Sequence, residues 1–227
     1  MKKPVYSSVI ISTGENSVNF MEVKSGNIAC GILYRSSSPL KGGDDRKAKT
    51  TLAVKAGIKC IVNLDDNYSV INELSKDISW YHELVLQEKV ICLPMTFTIP
   101  GIVSNEKKLK TALQFIISNE GPYLIHCFAG IDRTGFVSAL LEALMGADIK
   151  DICKNYLSAF LFDNGDSFRV QKFNKMKYFL KQIKIMIHGQ NITKVNIQEA
   201  AEYYLLNDIS LSISEITQLK NVLGKTA

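Results

Sequence analysis

One segment limits this chain more than any other: Tyr123-Leu124-Ile125-His126-Cys127-Phe128-Ala129-Gly130-Ile131-Asp132-Arg133-Thr134-Gly135. Gly121-Pro122 breaks the chain just before it, Tyr123 to Ile125 is a short apolar run of the buried-strand type, and Gly135 to Met145 reads as an apolar helix. Strand, tight loop and helix in that order present a ring of backbone N–H groups at a helix N-terminus, a ready site for an anion. Gly130 and Gly135 let the backbone turn and come close to the anion, and Arg133 offers a planar fork of donors that fits two phosphate oxygens at once.

The flanking pattern predicts an α/β fold with a central, mainly parallel sheet covered by helices. Val9 to Ile11, Asn19 to Val23 and Ile28 to Tyr34 read as strands, giving a β-rich N-terminal segment over 1–40. Asp44 to Ala56 reads as a helix and Cys60 to Leu64 as a strand, with a helix near Val70 to Leu74 after it. Strands are expected near Trp80 to Leu86 and Val90 to Leu93, and a helix over Asn105 to Ser118. Beyond Met145 the pattern is helical, with helices expected at Ile149–Phe160, Phe168–Ile187, Ile197–Leu206 and Ser212–Leu223. We take 1–227 as one domain, with 148–206 a helical rim or lid.

Composition narrows the class. The 227 residues are 46% hydrophobic and 22% charged, enough to bury one full core. No run approaches the roughly 18 to 20 apolar residues that cross a bilayer, and the N-terminus lacks an apolar signal core. The expected location is cytoplasmic, or outside the cell by a route the sequence does not reveal. Five cysteines with no Cys-x-x-Cys pair argue against a disulfide framework and a zinc site, so neither metal nor other cofactor is expected. The net charge of +5 is uneven: from Ser167 to Gln198 there is no Asp or Glu, while Arg169, Lys172, Lys175, Lys177, Lys181, Lys184 and Lys194 all fall there.

The loop also carries a reaction. Helix N-termini favour a thiolate over a thiol, so the arrangement that holds phosphate makes Cys127 a nucleophile. Thr134 can donate its hydroxyl to the sulfur as it leaves, and His126 can orient the loop through its ring. The backbone of Phe128, Ala129, Gly130, Ile131, Asp132 and Arg133 forms the cradle. The leaving oxygen needs a proton, and no aspartate lies between Asp77 and Asp132. Asp132, inside the loop, is therefore the first candidate for the acid.

These residues resemble the protein tyrosine phosphatase superfamily, and within it the bacterial tyrosine phosphatase family whose loop reads His-Cys-x-Ala-Gly-Lys-Asp-Arg-Thr-Gly. Leu33-Tyr34-Arg35-Ser36 is similar to that family's Tyr-Arg-Ser segment, Gly57 to Leu64 to its first parallel strand, and Ala200 to Leu205 to its tail. The resemblance implies hydrolysis of phosphotyrosine, in some members also of phosphoserine, phosphothreonine or phosphoinositides, without a metal. It maps the family's general acid onto Asp132. Two positions depart from the pattern. The loop lysine tied to additional phosphates is Ile131, and the Asp-Leu-Arg after the first parallel strand reads Asn63-Leu64-Asp65-Asp66, so Asp65 or Asp66 either stands in for a catalytic aspartate or simply forms a turn.

Arg35, with Ser36 to Ser38, either lines the pocket or closes a loop ahead of Pro39. The helix over Arg169 to Lys184 has Phe173, Met176, Leu180, Ile183 and Ile187 on one face and Lys177, Lys181 and Lys184 on another. The basic face is either a solvated surface or a rim that draws phosphopeptides or an anionic lipid surface. The expected partner is a phosphotyrosine protein or another phosphomonoester, and nucleic acid is not expected. The competing readings are a phosphoinositide or inositol phosphate phosphatase and an inactive phosphoresidue-binding module. Low-molecular-weight phosphatases and arsenate reductases carry their loop at the extreme N-terminus, unlike this chain.

Overall fold

The computed structural model describes residues 18–42, 45–96, 105–159 and 168–224, with the side chains of 168–173 and 175 excepted. Five strands form one sheet, β1 (Phe20–Val23), β2 (Leu33–Ser37), β3 (Cys60–Asn63), β4 (Val90–Cys92) and β5 (Tyr123–Cys127), in the order β1-β2-β5-β3-β4. β1 runs antiparallel to β2 at one edge, and every other pairing is parallel. Helices cover both faces, as a mainly parallel sheet requires. They are α1 (Asp45–Lys55), α2 (Tyr68–Leu74), α3 (Ser79–Leu86), α4 (Glu106–Ile117), α5 (Asp132–Leu144), α6 (Ile149–Ser158), α7 (Phe168–Met186), α8 (Ile197–Asn207) and α9 (Ile213–Leu223). No helix among the described residues is long and apolar enough to cross a membrane.

The two-residue period of the central strands sorts side chains between two cores. Tyr123, Ile125 and Cys127 of β5, with Cys60 and Val62 of β3, join the larger core with α4, α5, α8 and α9. Leu124 and Ile61 point the other way, against Ala53, Ile71, Tyr81 and Leu84. All five β5 residues are buried, and α5 is buried throughout from Thr134 to Leu144. The strand–loop–helix unit therefore occupies the centre of the molecule. Local sequence supplies the helix starts: Asp148 accepts from the N–H groups of Lys150 and Asp151, and Ser212 with Glu215 forms a reciprocal cap.

Three expectations are corrected. Trp80 to Leu86 lies within helix α3, not a strand. Its aromatic and β-branched composition suggests a strand, but Ile78, Tyr81 and Leu84 are buried at helical spacing while Leu86 is 71% exposed. The strand expected from Ile28 begins only at Leu33, because Gly31 turns the chain at φ +77° and Ile28 bridges to Gly224. Among the described side chains of α7 the buried ones are Phe179, Gln182, Ile183 and Met186, with Ile187 buried just past its end, while Leu180 is exposed and the Phe173 side chain lies outside the described ones. The expected strand at Val9 to Ile11 lies outside the described residues, as do Asp44 and Phe160.

Candidate active site

Cys127 ends β5 and is buried, and only four residues separate it from Asp132, where α5 begins. Between them the loop is tied down through its carbonyls. Ser38 N–H donates to Phe128 O at 3.0 Å, Asn19 Nδ2 to Ala129 O at 2.8 Å, Arg35 Nη2 to Gly130 O at 2.8 Å, and Gly135 N–H to Ile131 O at 2.8 Å. The N–H groups of Phe128, Ala129, Gly130 and Ile131 find no acceptor among the described residues. With its carbonyls drawn outward, the loop leaves those amides for an anion at the head of α5.

Gly130 adopts φ +69°, and a Cβ there would stand 2.4 Å from the backbone of Ser36 and Ser37. A side chain at Gly135 would meet the Tyr156 ring at 2.7 Å. The loop thus packs against β2 and α6 as closely as backbone allows.

Arg133 is anchored by Asp65, which pairs with Nη1 at 2.8 Å, and by the Leu64 carbonyl at 2.9 Å. Lys41 holds Asp65 at 2.7 Å and Asp66 at 2.5 Å, and its ammonium lies 5.6 Å from the centre of the exposed Phe128 ring. Burial works against the Asp65 charge, but hydrogen bonds from Lys41 and Arg133 outweigh it and hold the carboxyl below its ordinary range. The contribution of Asp65 to stability is therefore present above the ordinary carboxylate range and lost as pH falls through its depressed value. The two aspartates part company here. Asp65 touches Arg133, whereas Asp66 is held by Lys41 and lies 3.5 Å from Asn63 Nδ2. The turn is real as well, since Asn63 Oδ1 accepts from both aspartate N–H groups. Asp65→Asn is expected to loosen Arg133 and lower kcat/KM by about tenfold to a hundredfold, measured beside Asp66→Asn, whose loss should be smaller.

Behind Cys127, the His126 ring is buried with Nε2 3.0 Å from the Tyr81 hydroxyl, which also accepts from Asn63 Nδ2 at 3.3 Å. Burial pulls the imidazole down to about 3, so it is neutral. Thr134 is fully buried in the first turn of α5, and its hydroxyl has no partner among the described residues. Asp132 is partly exposed, and the Tyr156 hydroxyl donates to its Oδ1 at 3.4 Å. Tyr156 in turn stacks on Phe179 of α7, ring centres 3.9 Å apart, so α7 borders the Asp132 side of the loop. Ile131 turns its side chain to the large core.

Arg35 is not at the mouth. It is 1% exposed, beneath the loop, with Nη1 donating to Asn155 Oδ1 at 2.8 Å and Nη2 to Gly130. It takes neither of the two places considered for it, the pocket wall or a loop ahead of Pro39, but lies within β2 and ties down the Gly130 carbonyl. Sequence reasoning missed Asn19, Lys41, Asn155 and Tyr156, which lie outside any local motif and reach the loop only through the fold. Of the other cysteines, Cys92 is pushed up to about 12 by burial, and Cys60 and Cys153 are also raised by burial, in keeping with inert thiols.

No curated protein matches the sequence. Among solved structures, the crystal structure of P. aeruginosa TpbA is similar, with 18% identity, 82% of this chain and 97% of that chain covered, and a TM-score of 0.43. The profile of the tyrosine phosphatase family matches residues 19–224, which takes in the sheet, the Cys127 loop and the helices on both sides of it, and this chain belongs to that family.

Proposed function

We propose that this phosphatase hydrolyses phosphate monoesters through a phosphocysteine intermediate, with phosphotyrosine in proteins as its first substrate class and phosphoserine or phosphothreonine as a second. The observation that carries the reading is the loop of four outward-tied carbonyls between Cys127 and the head of α5. In the first step the Cys127 sulfur attacks phosphorus and the ester P–O bond breaks. The loop amides and Arg133 hold the equatorial oxygens, where charge builds in the transition state. Asp132 gives its proton to the leaving oxygen. Water then attacks phosphorus and yields its proton to Asp132, and the P–S bond breaks as Thr134 donates to the departing sulfur.

Ile131 favours protein substrates over polyphosphorylated inositides, because its side chain packs on the core where a loop lysine would offer a cation. An inactive binding module would have no use for a thiol and an acid in the same loop. The exposed Lys177, Lys181 and Lys184 of α7 form a basic rim that attracts anionic phosphopeptides.

The test is a panel of p-nitrophenyl phosphate, phosphotyrosine peptide, an alkyl phosphate and a phosphoinositide. The wild type should act on the first two, and a phosphoinositide as preferred substrate would overturn the assignment. Asp132→Ala should cost about 10²- to 10⁴-fold on the peptide and the alkyl ester, and much less on p-nitrophenyl phosphate, whose leaving group needs little protonation. For the acidic peptide alone, kcat/KM should fall as salt shortens the screening length; a salt-independent rate would remove the basic rim from the account.

A further inference from the structure

Helix α6 braces the phosphate loop through two successive residues. Asn155 Oδ1 accepts from Arg35 Nη1 at 2.8 Å, and Arg35 Nη2 in turn donates to Gly130 O at 2.8 Å. Tyr156, the next residue, reaches the loop directly, and its hydroxyl donates to Asp132 Oδ1 at 3.4 Å. That separation is longer than the usual O–H···O bond of about 2.7 to 2.8 Å. Hydrogen bonds to catalytic groups are often long before substrate binds and tighten with it. The reaction above gives Asp132 a proton to move and assigns no part to the hydroxyl beside it.

The Tyr156 ring is held on two sides. One edge lies against Gly135 of α5, where a Cβ would stand 2.7 Å from Cδ2 and 2.8 Å from Cε2. One face stacks on the buried Phe179 of α7, with ring planes 10° apart. A tyrosine has only two side-chain torsions, and an edge and a face fixed by different helices set both. Helix α6 is itself anchored: Asp148 caps its start, Ile152 is buried in the large core, and at its end Ser158 Oγ donates to Met21 Sδ of β1 at 3.0 Å. The hydroxyl therefore keeps a fixed place beside Asp132.

A hydroxyl in that place acts on the acid in two ways. The carbonyl oxygen of a carboxylic acid is a better acceptor than its O–H oxygen, so a donor at Oδ1 directs the acid's own proton to Oδ2. As that proton leaves, Asp132 gains charge, and a hydrogen bond to an ionised carboxylate is about twice as strong as one between neutral groups. The contact is then stronger in the transition state than before it, which is the condition for accelerating the step. Burial first, and the Asp132 charge after it, raise the phenol well above its ordinary value, so Tyr156 remains a donor throughout. We propose that Tyr156 is a positioning residue for the proton transfer, its hydroxyl fixing the Asp132 carboxyl through Oδ1 while Gly135 and Phe179 fix its ring.

This inference rests on Asp132 being the general acid, and the choice of leaving group separates the two. Tyr156→Phe removes the hydroxyl and keeps the ring between Gly135 and Phe179. kcat/KM would be measured on an alkyl phosphate and on p-nitrophenyl phosphate for wild type, Tyr156→Phe, Asp132→Ala and the double variant, with thermal unfolding of each. Tyr156→Phe should lose about tenfold on the alkyl ester, as misplacement of a reacting group costs, and much less on p-nitrophenyl phosphate, whose leaving oxygen needs little protonation. Added to Asp132→Ala it should cost less than about twofold on either ester, because residues that act as one unit are not additive. An equal loss on both esters, a loss of fold, or a full further loss in the double variant marks the hydroxyl as structural and overturns the proposal. If Asp132→Ala shows the leaving-group pattern and Tyr156→Phe does not, the acid stands and its positioning by Tyr156 fails. If Asp132→Ala spares the alkyl ester, Asp132 is not the acid and the positioning falls with it.

Discussion

Replacing Cys127 by serine is expected to reduce turnover of a phosphotyrosine peptide by at least about a thousandfold, roughly 4 kcal/mol of transition-state stabilisation, while leaving the fold and phosphate binding in place. Serine differs from cysteine by one atom, and position 127 closes a strand whose register with β2 and β3 is set by backbone bonds and not by the sulfur. The cradle is likewise built from backbone: the carbonyls of Phe128, Ala129, Gly130 and Ile131 are anchored by Ser38, Asn19, Arg35 and Gly135, none of which needs the thiol. What the variant lacks is a nucleophile of low basicity, since a serine hydroxyl in the same place has no adjacent base: His126 faces Tyr81 and is held neutral by burial. Vanadate or phosphate should therefore still raise the melting temperature of Cys127→Ser. A variant that kept a tenth of the wild-type rate would show that another group attacks phosphorus.

The second large effect is expected at Gly130. Its φ of +69° costs an alanine about 1 to 2 kcal/mol, and the new Cβ would collide with the Ser36 and Ser37 backbone at 2.4 Å. That backbone belongs to β2, which is paired on both sides and cannot retreat without loss of ladder bonds. Overpacking of this kind adds about 1 to 3 kcal/mol, and the loop must lift off β2, breaking the Arg35 and Ser38 anchors. Gly130→Ala should then lose both stability and nearly all activity. Gly31→Ala is the control: it shares the positive φ, +77°, but meets nothing within 4 Å. Its cost should be the backbone penalty alone, with activity close to wild type, as seen by thermal unfolding and peptide turnover side by side.

The reach of the sequence follows from how local each feature is. The strand, loop and helix around Cys127 were legible because Cys127, the loop amides, Asp132 and Arg133 lie within ten consecutive residues, and two glycines mark where the backbone must turn. The alternation of strands and helices, and hence the mainly parallel sheet, could also be read, since β3 and β5 are short apolar runs between breakers. The supporting shell could not be. Arg35 reaches Gly130 across 95 positions and Asn155 across 120, and Asn19 reaches Ala129 across 110, so no spacing rule connects them. Asp65 was visible only as one of two adjacent acids, and its partner in Arg133 is chosen by the parallel pairing of β3 with β5. The segment Trp80 to Leu86 misled for the opposite reason. Its residue types favour a strand, and burial of Tyr81 and Leu84 against the sheet decides for a helix.

The central claim, that phosphorus passes through Cys127, is tested most directly by trapping the intermediate. Wild-type enzyme would be mixed with phosphotyrosine peptide, quenched in acid during turnover, digested, and the peptide bearing Cys127 examined for an added phosphoryl group. The account predicts the modification on that peptide, on the sulfur, and none in Cys127→Ser. A phosphoryl group on another residue, or active turnover with Cys127 never modified, would contradict it.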